Sequence, residues 1–250
     1  MTVRAVVFDL DGTLVDTMTS IPYAYVRTIR DLGGPDVSPA LLIASWHIGP
    51  TPAVLAHFLG RTVTATDLKR FHAHIATAAE STRPFPGIPE LLRRLRHDGM
   101  PLALYTSATR HLAGLMLART GLTGYFPVVV TGDEVTNPKP APDGLLETCR
   151  LLGVPASATA YVGDSDTDLR CARAAGALPI HARWSPHLDD LPAHPHAAHR
   201  PTDVLTITAA QGDPADAARA DEPRHEPRPA RWPSPPPRRT PAPPDRNAAG

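Results

Sequence analysis

Two carboxylates, Asp9 and Asp11, leave the end of the apolar run Val6, Val7, Phe8 and enter a turn at Gly12 and Thr13. A carboxylate so placed can attack phosphorus, and a second one two residues on can protonate a leaving group and then take a proton from water. Gly12 supplies a tight bend that a side chain would obstruct. Taken alone, Asp-x-Asp-Gly is equally the mark of a solvated turn or a calcium loop, because Asp and Gly dominate both. The run over residues 3–8 is short, β-branched and aromatic and stops at a turn signal, which is the pattern of a buried strand in a parallel sheet. Ligands of such sheets bind beyond the carboxyl ends of the strands.

Three further segments each follow a predicted strand. Leu102 to Ala108 ends in Thr106 and Ser107, which offer hydroxyls and backbone N–H groups. Asn137 to Asp143 carries Lys139 between prolines that restrict the backbone around an ammonium; it is one of only two lysines in the chain. Ala160 to Asp168 runs through Gly163 into Asp164, Asp166 and Asp168. Of these, Asp164 lies nearest the strand end, Asp166 reads as an exposed helix-start residue favoured by the helix dipole, and Asp168 as a helix cap or a support to the site. Asp16 reads as a cap of the first helix after the turn.

With these four segments in this order the chain resembles the haloacid dehalogenase superfamily over roughly residues 3–207. The resemblance implies a magnesium-dependent phosphatase in which Asp9 is the nucleophile and Asp11 the general acid and base. It further implies that Thr106, with Ser107, and Lys139 bind the phosphoryl group. Mg2+ would be held by Asp9, Asp164 and the main-chain carbonyl of Asp11, with Asp168 supporting. The chemistry requires this kind of set, because an anionic nucleophile can approach an anionic phosphate only once a divalent cation and a lysine cancel the repulsion. The substrate expected is a small phosphorylated metabolite, with phosphoglycolate the leading choice. A pyrophosphatase or a sugar-phosphate mutase are alternatives within the superfamily, and a phospholigand-binding module without turnover is a remote one.

Those residues must be held by a scaffold, and the remaining pattern describes it. Helices are expected over residues 20–32, from Ser38-Pro39, from Thr51-Pro52, and from Thr66-Asp67 to about Glu80, with the Ser/Thr residues as N-caps. After Pro84 to Gly87 the chain alternates: helix 88–98, strand 102–105, helix 110–120, strand 127–131, helix 142–152, strand 159–162, helix 166–175 and strand 178–182. Such alternation predicts an α/β fold with a doubly wound parallel sheet, Rossmann-like, and a small all-helical cap inserted after the first strand. The expected division is a catalytic core of residues 1–15 and 84–207, a cap of 16–83, and a disordered Pro/Arg/Ala-rich tail of 208–250. The cap has no lysine between residues 14 and 68, which argues against Schiff-base chemistry there, and Thr51-Pro52 supplies no arginine for a second phosphate. His47 and Arg61 are cap residues that could touch a substrate anion, with surface placement the simpler account.

Composition removes other classes. Net charge is zero, so no global field invites nucleic acid. Cys149 and Cys171 fall in predicted helices and read as ordinary reduced thiols. No apolar stretch approaches membrane-spanning length, and a cytoplasmic monomer or homodimer with no membrane partner is expected. His187, His194, His196 and His199 alternate with proline and alanine without a zinc-type spacing.

Overall fold

The computed structural model describes residues 2–186 and 192–211, apart from the side chain of His47. The expected tail beyond 211 and His187 therefore lie outside the described residues. Six parallel strands form one sheet: β1 (Ala5–Phe8), β2 (Leu102–Thr106), β3 (Val128–Thr131), β4 (Thr159–Gly163), β5 (Leu178–Ala182) and β6 (Ala197–Ala198). Their spatial order is β3-β2-β1-β4-β5-β6. Nine α-helices accompany them among the described residues: α1 (Ile21–Asp31), α2 (Pro39–Ala44), α3 (Thr51–Leu59), α4 (Ala65–Ala79), α5 (Ile88–His97), α6 (Arg110–Thr120), α7 (Asp143–Leu152), α8 (Asp166–Ala175) and α9 (Asp203–Ala210).

Alternation along each strand sorts the core into two layers. Val6, Phe8, Leu104, Val162 and Ile180 pack with Ile88, Leu91 and Leu95 of α5 and Met116 and Leu117 of α6 on one face. Val7, Ala103, Tyr105 and Tyr161 pack with Leu145 and Cys149 of α7 and Cys171 and Ala172 of α8 on the other. Both faces are thus covered, as apolar strands of a parallel sheet require. The chain builds outward from β1 to β2 and β3 and then crosses back to place β4 on the other side of β1. Strand order therefore reverses between β1 and β4, and the crevice beyond their carboxyl ends is where doubly wound folds bind ligands.

Helices α1 to α4 form the insertion after β1. Tyr25 of α1 packs on Phe71 of α4 with ring centroids 4.5 Å apart. The two passages joining the insertion to the sheet run side by side: Asp16 N–H donates to the Arg83 carbonyl at 3.0 Å and Phe85 N–H to the Leu14 carbonyl at 3.0 Å.

Local capping departs from expectation at three places. Helix α3 begins after Pro50, and the Thr51 hydroxyl, instead of capping, pairs with the Tyr25 hydroxyl at 2.7 Å. Helix α4 is capped two residues earlier than expected, by Thr64 in place of Thr66, because Thr64 and Asp67 form a reciprocal capping box. Arg61 then closes on the Asp67 carboxylate through both terminal nitrogens, at 2.7 and 3.2 Å, so its guanidinium serves that helix start. Asp16 does not cap α1, whose N-cap is Ser20; it lies in the passage beside Arg83, and its Oδ1 is buried without a hydrogen-bond partner. The structure also adds β6 and α9, which the sequence pattern did not single out, since a two-residue strand of alanines carries no periodic signal.

Candidate active site

Beyond the ends of β1 and β4 the structure gathers Asp9, Lys139, Asp164 and Asp168. Asp9 remains in the sheet ladder, its N–H donating to the Val162 carbonyl at 2.9 Å, so its side chain emerges at the strand end. The next residues turn sharply at Gly12, where φ is +78°. A Cβ on Gly12 would lie 2.2 Å from Asp164 Oδ2, so glycine serves both the turn and the close approach of the two loops. Thr13 completes that contact by donating its hydroxyl to Asp164 Oδ1 at 3.1 Å.

Lys139 lies between two carboxylates. Its Nζ donates to Asp9 Oδ1 at 2.6 Å and to Asp168 Oδ1 at 2.8 Å, and its side chain is only 3% exposed. The ammonium also sits over the rings of Tyr105 and Tyr161, at 4.9 and 5.2 Å from their centroids. Burial opposes the charge, but Asp168 and Asp9 outweigh it and hold the Lys139 ammonium above its ordinary range.

Asp168 caps α8 as the third residue of a reciprocal box with Ser165, and its Oδ1 accepts from Tyr161 as well as from Lys139. Its Oδ2 accepts the Ser165 backbone N–H and hydroxyl at 3.1 and 2.5 Å. Both oxygens are therefore committed. Although burial pulls it upward, Lys139 and Ser165 hold this carboxyl below its ordinary value. Asp9 behaves oppositely: burial raises it to about 7, with Lys139 opposing and Asp168 and Asp11 adding to the rise. Asp164 is raised well above the usual range by burial and then by Asp168 and Asp9. Asp11 is raised by burial, opposed by the nearby Thr17 hydroxyl and Lys139.

These shifts describe a cluster with more buried negative charge than one ammonium neutralises. Ligand oxygens of Asp9, Asp164 and Asp168 lie within 4.8 Å of one another, a hard all-oxygen set suited to a small divalent cation. With Asp168 bound to Lys139, Tyr161 and Ser165, the fit for a cation rests on Asp9 and Asp164. The Asp11 side chain stands outside that group of three, although it lies close enough to raise Asp9.

Thr106 is buried at the end of β2, and its hydroxyl accepts the Ala108 N–H at 3.1 Å. Parallel pairing sets Leu104 beside Phe8, which brings Thr106 level with the turn entered by Leu10. Ser107 is exposed, with its carbonyl tightly against Gly132. Asp166 is exposed at the first turn of α8, as expected. His194 lies beside His181 and His196 and accepts the His196 N–H at 3.2 Å.

Several contributing residues escaped the sequence reading. Thr13, Tyr161, Ser165, His181 and Trp184 all bond to the loops of the cluster. Ser165 with Asp168 is an S-x-x-D capping pattern legible in sequence. Tyr161 meets Asp168 across the turn from β4 into α8, and Thr13, His181 and Trp184 depend on contacts between separate segments.

Comparison with known proteins places this arrangement. Residues 6–181 match the family model described as haloacid dehalogenase-like hydrolase. The chain is 40% identical over 183 residues to the plasmid phosphoglycolate phosphatase of Cupriavidus necator, covering 70% of this chain and 78% of that protein. It is 31% identical over 182 residues to the phosphoglycolate phosphatase of Aquifex aeolicus, covering 72% and 85% respectively. Among solved structures, a HAD-superfamily hydrolase from Geobacter sulfurreducens superposes with a TM-score of 0.63 at 25% identity, covering 82% of this chain and 96% of that one. CbbY from Rhodobacter sphaeroides, solved with phosphate, shares the fold at 21% identity with a TM-score of 0.70, over 81% and 96%.

Proposed function

This chain belongs to the haloacid dehalogenase-like hydrolases and is a phosphoric monoester hydrolase, and we propose that it is a magnesium-dependent phosphatase working through an aspartyl-phosphate on Asp9, with a small phosphomonoester of the phosphoglycolate type as substrate. The observation that carries the reading is the Lys139 ammonium held 2.6 Å from Asp9 and 2.8 Å from Asp168 in the crevice where strand order reverses. Phosphoglycolate is preferred because two relatives that the chain covers over most of their length bear that activity in their names.

Asp9 attacks phosphorus through a carboxylate oxygen as the bond to the leaving alkoxide breaks. Asp11, raised by burial and so inclined to carry a proton, protonates that alkoxide. Its freed carboxylate then takes a proton from the water that attacks the phosphoryl group on Asp9, releasing phosphate and restoring both residues. Lys139 neutralises charge on the transferring group as well as on Asp9, and the Thr106 hydroxyl, already accepting from Ala108, has its proton to give to a phosphoryl oxygen. Asp168 is the residue that orients Lys139. Asp9, Asp164 and the Asp11 carbonyl would hold Mg2+, which when bound keeps both carboxylates ionised and offsets the negative charge of substrate and nucleophile. Helices α1 to α4, with residues 16–83 taken as the cap, would close over the crevice and exclude water.

Among the described residues no helix is long and apolar enough to cross a membrane. A cytoplasmic setting, with a small phosphorylated metabolite as the main partner, remains part of this proposal.

The test is phosphate release from a panel of phosphoglycolate, sugar phosphates, nucleotides, p-nitrophenyl phosphate and pyrophosphate, with Mg2+ or with chelator, for wild type and Asp9→Asn. Mg2+-dependent release that the substitution abolishes is the expected result. Release that is unaffected at Asp9, or none from any compound, defeats the proposal.

A further inference from the structure

Both loops of the acidic cluster are held from outside by side chains at the end of β5. His181 lies opposite Gly163 in the parallel register, so its ring reaches the residue just beyond β4. Its Nε2 is 3.2 Å from the Asp164 carbonyl. A carbonyl only accepts, so Nε2 carries the proton in that bond. Three residues on, Trp184 donates its indole N–H to the Thr13 carbonyl at 2.9 Å. Thr13 in turn donates its hydroxyl to Asp164 Oδ1. An indole N–H can only donate, which sets the direction of this bond, and the rest of the ring is partly buried against the main core cluster, which holds the donor in place.

We propose that Trp184 is a positioning residue for the cation site: its indole N–H fixes the carbonyl of Thr13, and with it the hydroxyl that orients Asp164, so that Trp184 sets the affinity for the divalent cation. The inference rests on the reading of the site as a magnesium-dependent phosphatase. Outer donors that orient a ligating carboxylate ordinarily act on metal affinity in this way. Trp184 touches neither substrate nor the reacting atoms in this role. Its loss should therefore be repaired by excess metal, whereas loss of a group contacting the phosphoryl would not be.

The experiment compares the full-length wild type with Trp184→Phe, which keeps an aromatic ring and removes the donor. Mn2+ is the probe, with free Mn2+ followed by electron paramagnetic resonance in the absence of substrate. The expected result is binding weakened by about tenfold in the variant. In the companion measurement, kcat recovers as Mg2+ is raised to saturation while KM for the best substrate of the panel stays at the wild-type value. Mn2+ affinity equal to wild type, or a kcat deficit that saturating Mg2+ leaves in place, overturns the proposal. Should Trp184→Phe fail to fold, benzothienylalanine at position 184, with sulfur replacing the N–H in an isosteric ring, gives the same reading: weakened Mn2+ binding supports the role and unchanged binding refutes it. Absence of Mn2+ binding by the wild type strikes instead at the metal-dependent reading on which the inference stands.

Discussion

Replacing Lys139 by Met tests whether the ammonium between Asp9 and Asp168 organises the site. Methionine retains most of the apolar stem that packs beside Tyr105 and Tyr161 and deletes only the charge and its two hydrogen bonds. The three side chains involved are at most 9% exposed, so water cannot take over the lost contacts. Removing one partner of such a buried pair costs about 3–5 kcal/mol where the carboxylates are ionised. The penalty depends on pH with a definite sign. Asp9 already lies at about 7 with Lys139 in place, chiefly through burial, and loses an opposing cation in the variant, so its folded-state value rises further. A carboxyl raised above its unfolded value loses stability as pH rises from the unfolded to the folded value, by about 1.4 kcal/mol in total for each unit that separates the two. Asp168 is held below its ordinary value of 3.8 by Lys139, and that stabilisation is present above 3.8 and lost only as pH falls through the lowered folded-state value, so the variant forfeits it from mildly acid pH upward. Both effects point the same way. Urea unfolding in the presence of chelator should show Lys139→Met destabilised by about 3–5 kcal/mol at pH 8 and by less near pH 4.5, where Asp9 is protonated and the lost contact with Asp168 alone remains. In the Asp168→Asn background the loss at pH 8 should shrink by about 1–3 kcal/mol, the coupling expected of contacting groups. With Mg2+ saturating, kcat/KM should fall by about 10² or more. A pH-independent loss, a loss below about 1 kcal/mol at pH 8, or additivity with Asp168→Asn would refute the electrostatic account.

Without divalent cation, stability should decline as pH rises from about 4 to about 7, because Asp9 is raised from 3.8 to about 7 and the folded state holds a proton that the unfolded state releases. Mg2+ should raise Tm more at pH 7.5 than at pH 5.5, and an equal increment at both values by differential scanning fluorimetry would contradict this. Gly12→Ala places a Cβ 2.2 Å from Asp164 Oδ2 at a φ of +78° and should cost about 1–2 kcal/mol while weakening Mg2+ activation; wild-type activation curves would show that the two loops do not approach so closely. Thr64→Ala removes the side-chain cap of α4 and should destabilise by about 1 kcal/mol in urea, with no change indicating that the Asp67 half of the box suffices.

How far the sequence reached can be followed residue by residue. Asp9, Asp11 and Gly12 were legible because a strand, its end and its turn are local: β-branched spacing ends at Phe8 and glycine follows within four residues. The same holds for the alternating strands and helices from α5 to β5, whose bounds shift by no more than one residue from those expected. Capping was read correctly at Ser38, which accepts the Leu41 N–H within one turn, and was misjudged at α4, where the box uses Thr64 in place of Thr66, and at Thr51, whose hydroxyl is taken by Tyr25 from another helix. The sequence by itself determined which chemical groups arrive at the strand ends, through motif spacing and two periodicities. It could not determine which oxygen each group would meet. That Lys139 bridges Asp9 and Asp168 across 130 and 29 residues, that Thr13 reaches Asp164 across 151, and that Trp184 reaches Thr13 across 171 follow only from the folded sheet. The physical reason is that periodicity encodes the face a residue presents within its own element. The partners it meets there are set by the reversal of strand order at β1 and β4 and by the parallel register, which are properties of the packed whole.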